Sequence, residues 1–121
     1  MIWRAIFTDS FYFWYQAQPV ELRKRLGAAF GNIEFWRPAL SRPQADTVKG
    51  SRYPNMKALR LLCRGKPYRI FFAFDPHRRA VVLCGGDQSN DTRFYQAQMK
   101  VADTQFAHHL AELEDENENV N

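Results

Sequence analysis

Cysteine and histidine are scarce in this 121-residue chain: two of the first, Cys63 and Cys84, and three of the second. Neither CxxC nor HxxxH spacing occurs, and the adjacent His108 and His109 cannot share a helix face, so four metal ligands do not come together. Both cysteines fall in apolar, strand-like surroundings, where a reducing compartment keeps them as packed thiols. No run approaches the roughly 18 consecutive apolar residues of a membrane span. The opening MIWRAIFTD lacks the basic start and apolar core of a signal peptide, and a cytoplasmic protein is expected. The phosphate-binding GxxxxGK and the dinucleotide GxGxxG are both missing, and there are no internal repeats. No metal and no cofactor is expected.

Positive charge is what the chain has in excess. The net charge of +4 understates it, because five of thirteen acids (Glu112, Glu114, Asp115, Glu116, Glu118) lie in the last ten residues. Between Lys49 and Arg79 there are nine basic residues and one acid, Asp75. Cations fixed on a sheet cannot collapse away from one another, and a polyanion relieves their repulsion. Handling of nucleic acid is therefore the leading functional class.

The length and an apolar content of 45%, with ten Phe and three Trp, set one domain with a real core, expected over residues 1–113. Residues 114–121 read as an acidic, frayed tail. Trp3 to Thr8 alternates as a first strand. Asp9 reads as the N-cap of a short aromatic helix, Ser10 to Gln16. Pro19 opens a longer helix whose stripe of Leu22, Leu26, Ala29, Phe30 and Ile33 should pack on the sheet. Pro38, Pro43 and Gly50 bracket a patternless loop from Arg37 to Tyr53. Strands follow at Met56 to Arg64, Pro67 to Phe74 and Arg79 to Gly85, joined by RGKP and DPHR turns. Asp91 to Leu113 reads as helix, broken near Met99 to Val101, with Ala102, Phe106, His109, Leu110 and Leu113 on one stripe; His109 is read as a packing residue. The order β-α-α-β-β-β-α leaves one place for a parallel crossover, so an α+β domain with a mainly antiparallel sheet is predicted.

Two segments carry the candidate chemistry. In the first, alternation sets Arg60 and Arg64 on one face of a strand and Lys57 on the other. Lys66 occupies the tight turn and Arg69 follows it, so Arg60, Arg64, Lys66 and Arg69 converge on one hairpin end. The second is GGDQSNDTRFY, Gly85 to Tyr95, in which paired glycines end a strand and Arg93 and Tyr95 begin a helix.

The run VKGSRYPNMKALRLLCRGKPYRIFFAFDPHRRAVVLCGGDQSNDTRFY, with WRAIFTD before it and ADTQFAHHLAEL after it, resembles the HigB-type toxins of bacterial toxin-antitoxin modules, within the RelE/ParE group. The likeness spans about Trp3 to Leu113. It implies a RelE-like α+β fold, a mainly antiparallel four-stranded sheet with two N-terminal helices packed on it and a C-terminal helical segment. It also implies a ribosome-dependent mRNA endonuclease that works without metal, and a helix-turn-helix antitoxin of the HigA type that silences it. DNA would be met only through that antitoxin complex.

In such enzymes the ribose 2′-OH attacks the adjacent phosphate. The resemblance makes Arg69 the first candidate for the phosphorane contact, because a guanidinium forks phosphate oxygens and never deprotonates. Arg60 and Arg64 would share the charge, while Lys57 and Lys66 would seat the backbone. Tyr95 is the candidate base, with Asp87 as the other acid-base group; His77 would serve only if its turn folded over the site. Tyr68, Phe94 and Tyr53 offer rings for base stacking. Gln88 stands where the family usually has Lys, with Arg93 as the substitute cation. Two alternatives share these features: a ParE-like, non-enzymatic inhibitor of DNA gyrase, and a basic binding module without catalysis.

Overall fold

The run from Met56 to Asp87 is apolar on both sides of its alternation, and it forms the centre of the sheet. In a computed structural model, residues 4–36, 45–87 and 92–119 are described. They fold as β1 (Arg4–Phe7), α1 (Asp9–Gln16), α2 (Val20–Trp36), β2 (Ala45–Thr47), β3 (Met56–Cys63), β4 (Lys66–Phe74), β5 (Arg79–Asp87) and α3 (Thr92–Asn119). The strands lie in the order β1-β5-β4-β3-β2. Among the described strands only β1 and β5 run parallel.

Strands buried on both faces need helices on both faces. In β4, Ile70 and Phe72 point to α1 and α2, joining Leu22, Leu26, Phe30 and Ile33 in one core. Phe71 and Ala73 point the other way, to Met99, Ala102 and Phe106 of α3 in a second core. Every residue of the predicted α2 stripe is buried, Leu26 and Ile33 completely. At roughly 1.5–3 kcal/mol per large apolar side chain, these two interfaces rather than helix propensity hold the layers together.

Several boundaries differ from the sequence reading. The sheet has five strands, not four, because Ala45–Thr47 pairs with β3 inside the segment read as a loop. Three residues are too short to show a period, and Ala45 is hidden under the first core. Thr8, not Asp9, caps α1: its backbone is extended and its Oγ1 accepts the Phe11 N–H at 3.2 Å. Asp9 instead lies in the first turn, where a carboxylate faces the positive end of the helix dipole. The last helix is unbroken and longer than expected, since Met99, Ala102 and Phe106 continue one buried stripe through the supposed break. Trp3, residues 37–44, Gln88, Asp91 and residues 120–121 lie outside the described residues.

The two central turns have separate causes. Cys63 pairs with Lys66, leaving Arg64 (φ 51°) and Gly65 (φ 76°) as a two-residue, left-handed turn that suits the strand twist. Arg64 has therefore left the strand, and it does not share a face with Arg60 as alternation suggested. At the opposite end, Asp75 accepts hydrogen bonds from the backbone N–H groups of His77 and Arg79 and from Arg79 Nε, each at 2.9 Å. His109 of α3 adds a fourth bond to this buried carboxylate, with Nε2 at 2.8 Å. Asp103, also on α3, holds the 48–55 loop through Ser51 Oγ and the Arg52 N–H.

Candidate active site

Near the β3–β4 turn three strands meet at one level. Arg60 stands opposite Arg69 across β3 and β4, and Arg69 stands opposite Gly86 across β4 and β5. Counting alternately from Ala58 and Phe71, which are buried under α3, sets both arginines on the α3 side of the sheet. The level depends on a bulge: Phe71 pairs with Cys84 and Phe72 with Val82, so Leu83 has no partner directly opposite.

Gly86 lets α3 approach. A Cβ there would come within 2.9 Å of two Phe94 ring carbons. With that space taken by Phe94, the first turn of α3 brings the Tyr95 ring under the Arg69 guanidinium, 4.8 Å from carbon to centroid. Phe71 supports the same ring at 5.4 Å. Arg69 Nε is buried and has no hydrogen-bond partner among the described residues. Arg60 is different, because its Nε lies 3.4 Å from Asp46 Oδ2 on β2.

Like charges placed directly across a ladder repel, and Asp46 offsets only the Arg60 side. Arg69 has a π face beneath it and an unused donor. An anion entering beside it gains from both guanidiniums and satisfies a buried N–H.

The other candidates are spread around this pair. Arg64 Nε binds Glu21 Oε2 at 2.6 Å, and this hydrogen bond with its charge holds the Glu21 carboxyl below its ordinary value. Lys66 is exposed beside it, not in the turn as the sequence suggested but as the first residue of β4, paired with Cys63. Lys57 lies opposite Phe72, on the α1/α2 face, where burial pushes its ammonium pKa down. Asp87 pairs with Tyr68, whose ring packs against the first core, so both belong by register to the face away from Arg69. Arg93 is exposed in the first turn of α3. Tyr53 packs edge-on against Phe106 at 4.9 Å, and His77 sits in the Asp75 turn at the far end of the sheet. Cys84 is a packing residue: burial pushes its thiol up to about 12. Among the described residues no group of three or more His, Cys, Asp or Glu is placed to hold a metal ion, and no helix is long and apolar enough to cross a membrane.

At the hairpin end a cavity of about 660 Å³ opens between Arg25 of α2 and the strand residues Leu61, Leu62 and Tyr68, and it extends to Arg60 and Arg69.

Residues 14–107 match the Gp49-like family of phage-derived proteins. HigB3 of Mycobacterium tuberculosis, assigned as a toxin, is 37% identical over 99 residues, which is 81% of this chain and 85% of HigB3. This chain belongs to the HigB-type toxins. HigB2 of the same organism, also assigned as a toxin, is 42% identical over 104 residues, 84% of this chain. The chain spans about half of HigB2, 52% of its length. The fold agrees with that of E. coli toxin RelE, in a substituted variant solved in the free state: the TM-score is 0.57 at 13% identity, covering 79% of this chain and 93% of RelE.

In this HigB-type chain the site contains three residues that sequence reasoning missed. Asp46 lay in a stretch without pattern, and its role needed the β2 register. Gly86 was noted only as half of a Gly-Gly pair. Arg25 belongs to a helix whose exposed face carried no signal of its own.

Proposed function

We propose that this chain is the toxin of a toxin-antitoxin module and acts as an endoribonuclease on translated mRNA, by metal-free attack of a ribose 2′-OH on the adjacent phosphate. One observation carries the reading: Arg69, with its buried and unpartnered Nε, opposed by Arg60 and resting on Tyr95. That is a place for a phosphate whose charge grows during reaction. The 2′-oxygen bonds to phosphorus, the bond from phosphorus to the 5′-oxygen breaks, and the products are a 2′,3′-cyclic phosphate and a 5′-OH. Tyr95 Oη takes the 2′-OH proton as its own phenolic proton passes to solvent, and the leaving 5′-oxygen receives one from solvent or a neighbouring acid. Arg69 and Arg60 face the equatorial oxygens. A well-placed donor of this kind contributes roughly 3–4 kcal/mol, and a positioned proton acceptor about 10²- to 10⁴-fold.

Arg64 in the turn, Lys66 at the start of β4, Lys57 on the far face and Arg93 at the start of α3 extend the basic surface along which RNA and ribosomal RNA are held. Asp87 borders it at the end of β5. A helix-turn-helix antitoxin presenting an acidic segment to the Arg60–Arg69 level would silence the enzyme by occupying the phosphate position.

The test is induction of the chain in cells without antitoxin, followed by primer extension on translated and untranslated forms of one message. Cleavage confined to the translated form is expected. Growth arrest with intact mRNA would overturn this reading in favour of gyrase inhibition of the ParE kind.

A further inference from the structure

The arginine level contains an acid that a surface built only to hold RNA would be better without. Asp46 stands opposite Ala58, which is buried under α3, so it lies on the α3 side of the sheet, diagonally beside Arg60. Its side chain is 15% exposed against 44% for Arg60, and its Oδ2 is 3.4 Å from Arg60 Nε. A carboxylate this close to a phosphate position repels the phosphate and weakens the hold on RNA.

Across β2, β3 and β4 the order is Asp46, Arg60, Arg69, all on one face. Opposed side chains begin only about 4.5–5.5 Å apart at Cβ, so two unanchored guanidiniums would swing away from each other into solvent. Here each has an anchor on its outer side. Tyr95 lies under Arg69, carried by the turn of α3 that packs on Gly86 of β5. Asp46 draws Arg60 the other way, toward β2 at the edge of the sheet. The contact uses Nε, at the base of the guanidinium, and the two Nη groups that can fork a phosphate project beyond it.

Resting on the endoribonuclease reading, we propose that Asp46 is a positioning residue of the cleavage: it fixes Arg60 as one jaw of a phosphate clamp whose other jaw is Arg69, at the expense of affinity for RNA. Asp46 touches neither the RNA nor the reacting atoms. Contacts that hold bound RNA and transition state equally do not speed the bound complex, so lost affinity matters little, whereas a displaced donor matters much.

The test uses the full chain and two readouts. One is fluorescence anisotropy with a short single-stranded RNA whose 2′-O-methyl riboses cannot be cut; the other is single-turnover cleavage of a message on programmed ribosomes. Asp46→Ala should bind the uncleavable RNA several-fold more tightly and cleave about 10²-fold more slowly, the loss that a misplacement of about 1 Å brings. Asp46→Asn keeps the shape and one acceptor oxygen; it should gain the same affinity and retain more of the rate, and it carries the test if the alanine variant fails to fold. In an Arg60→Gln background either substitution should alter the rate by less than about twofold, because no jaw remains to be positioned. A purely structural role would instead lower the rate by the same factor in both backgrounds and leave the affinity unchanged or weaker. That result overturns the proposal, as does a rate that rises together with the affinity or an Arg60→Gln chain that cleaves at the unmodified rate, and cleavage by the unmodified chain still upholds the endoribonuclease reading. If the unmodified chain cuts no translated message, both fall together.

Discussion

Arg60 and Arg69 face each other directly across two antiparallel strands. A sheet that placed two cations in register for stability alone would be badly designed, since opposed like charges cost up to about 1 kcal/mol. Arg69 also keeps a buried N–H without a partner among the described residues, at a further cost of about 1–3 kcal/mol. Its contact with Tyr95 returns only about 0.5–1 kcal/mol. Arg69→Gln is therefore expected to abolish growth inhibition while leaving the melting temperature unchanged or raised. A melting temperature that falls by several degrees would show that Arg69 is structural.

Gly86→Ala should act on the site through Phe94. The added Cβ meets the ring at 2.9 Å, and the ring and the helix turn behind it must move. Overpacking of this kind costs about 1–3 kcal/mol, and a shift of Tyr95 near 1 Å costs about 10²-fold in rate. Adding Phe94→Leu, which removes the offending ring carbons, should restore part of the stability. Melting curves of the single and double variants decide it.

The buried Asp75 makes stability depend on acid. Burial alone would raise its pKa, but hydrogen bonds from His109, the Arg79 backbone and the Arg79 side chain outweigh it and hold the carboxyl below its ordinary 3.8. A depressed folded pKa contributes stability that is fully present above the unfolded value and is lost as pH falls through the folded one. The melting temperature should therefore drop steeply below about pH 4. Asp75→Asn should be less stable at neutral pH and show a shallower acid limb.

Thr8→Ala removes the cap of α1 and the Oγ1 bond to the Leu83 carbonyl. Destabilisation by about 1 kcal/mol is expected, with cleavage unchanged at temperatures where the variant is folded. Denaturant unfolding and primer extension on the same preparation separate the two effects.

The Cys84 thiol, pushed up to about 12 by burial, should not react with thiol reagents at pH 8 in the folded chain. Full labelling at Cys84 before unfolding would contradict its packing under α3.

How much of this was legible beforehand depended on whether a feature repeats along the chain. The α2 stripe and the three central strands follow from period, and they stand where it puts them. Arg64 does not, because a tight turn needs two left-handed residues and the turn took it out of the strand. β2 was invisible, since three residues cannot show a period and its pairing with β3 is non-local. The same reason hid Asp46 as the partner of Arg60. Thr8 and Asp9 are both good caps, and it is the extended Thr8 backbone, paired through its N–H with the Val82 carbonyl and accepting the Phe11 N–H at Oγ1, that shows where the helix begins. Tyr95 and Arg69 were each named as candidates, but their contact depends on the missing side chain of Gly86.

The parallel pairing of β1 with β5 bears on how the chain is made. Residues Arg4 to Phe7 have Arg79 to Val82 as their sheet neighbours, so β1 waits for β5, which is made about 70 residues later. Closing so long a loop is slow, and during synthesis β1 and the aromatic helix after it stay unanchored to the sheet until most of the chain is out. Any stop codon before β5 releases a product in which β1 has no place to dock.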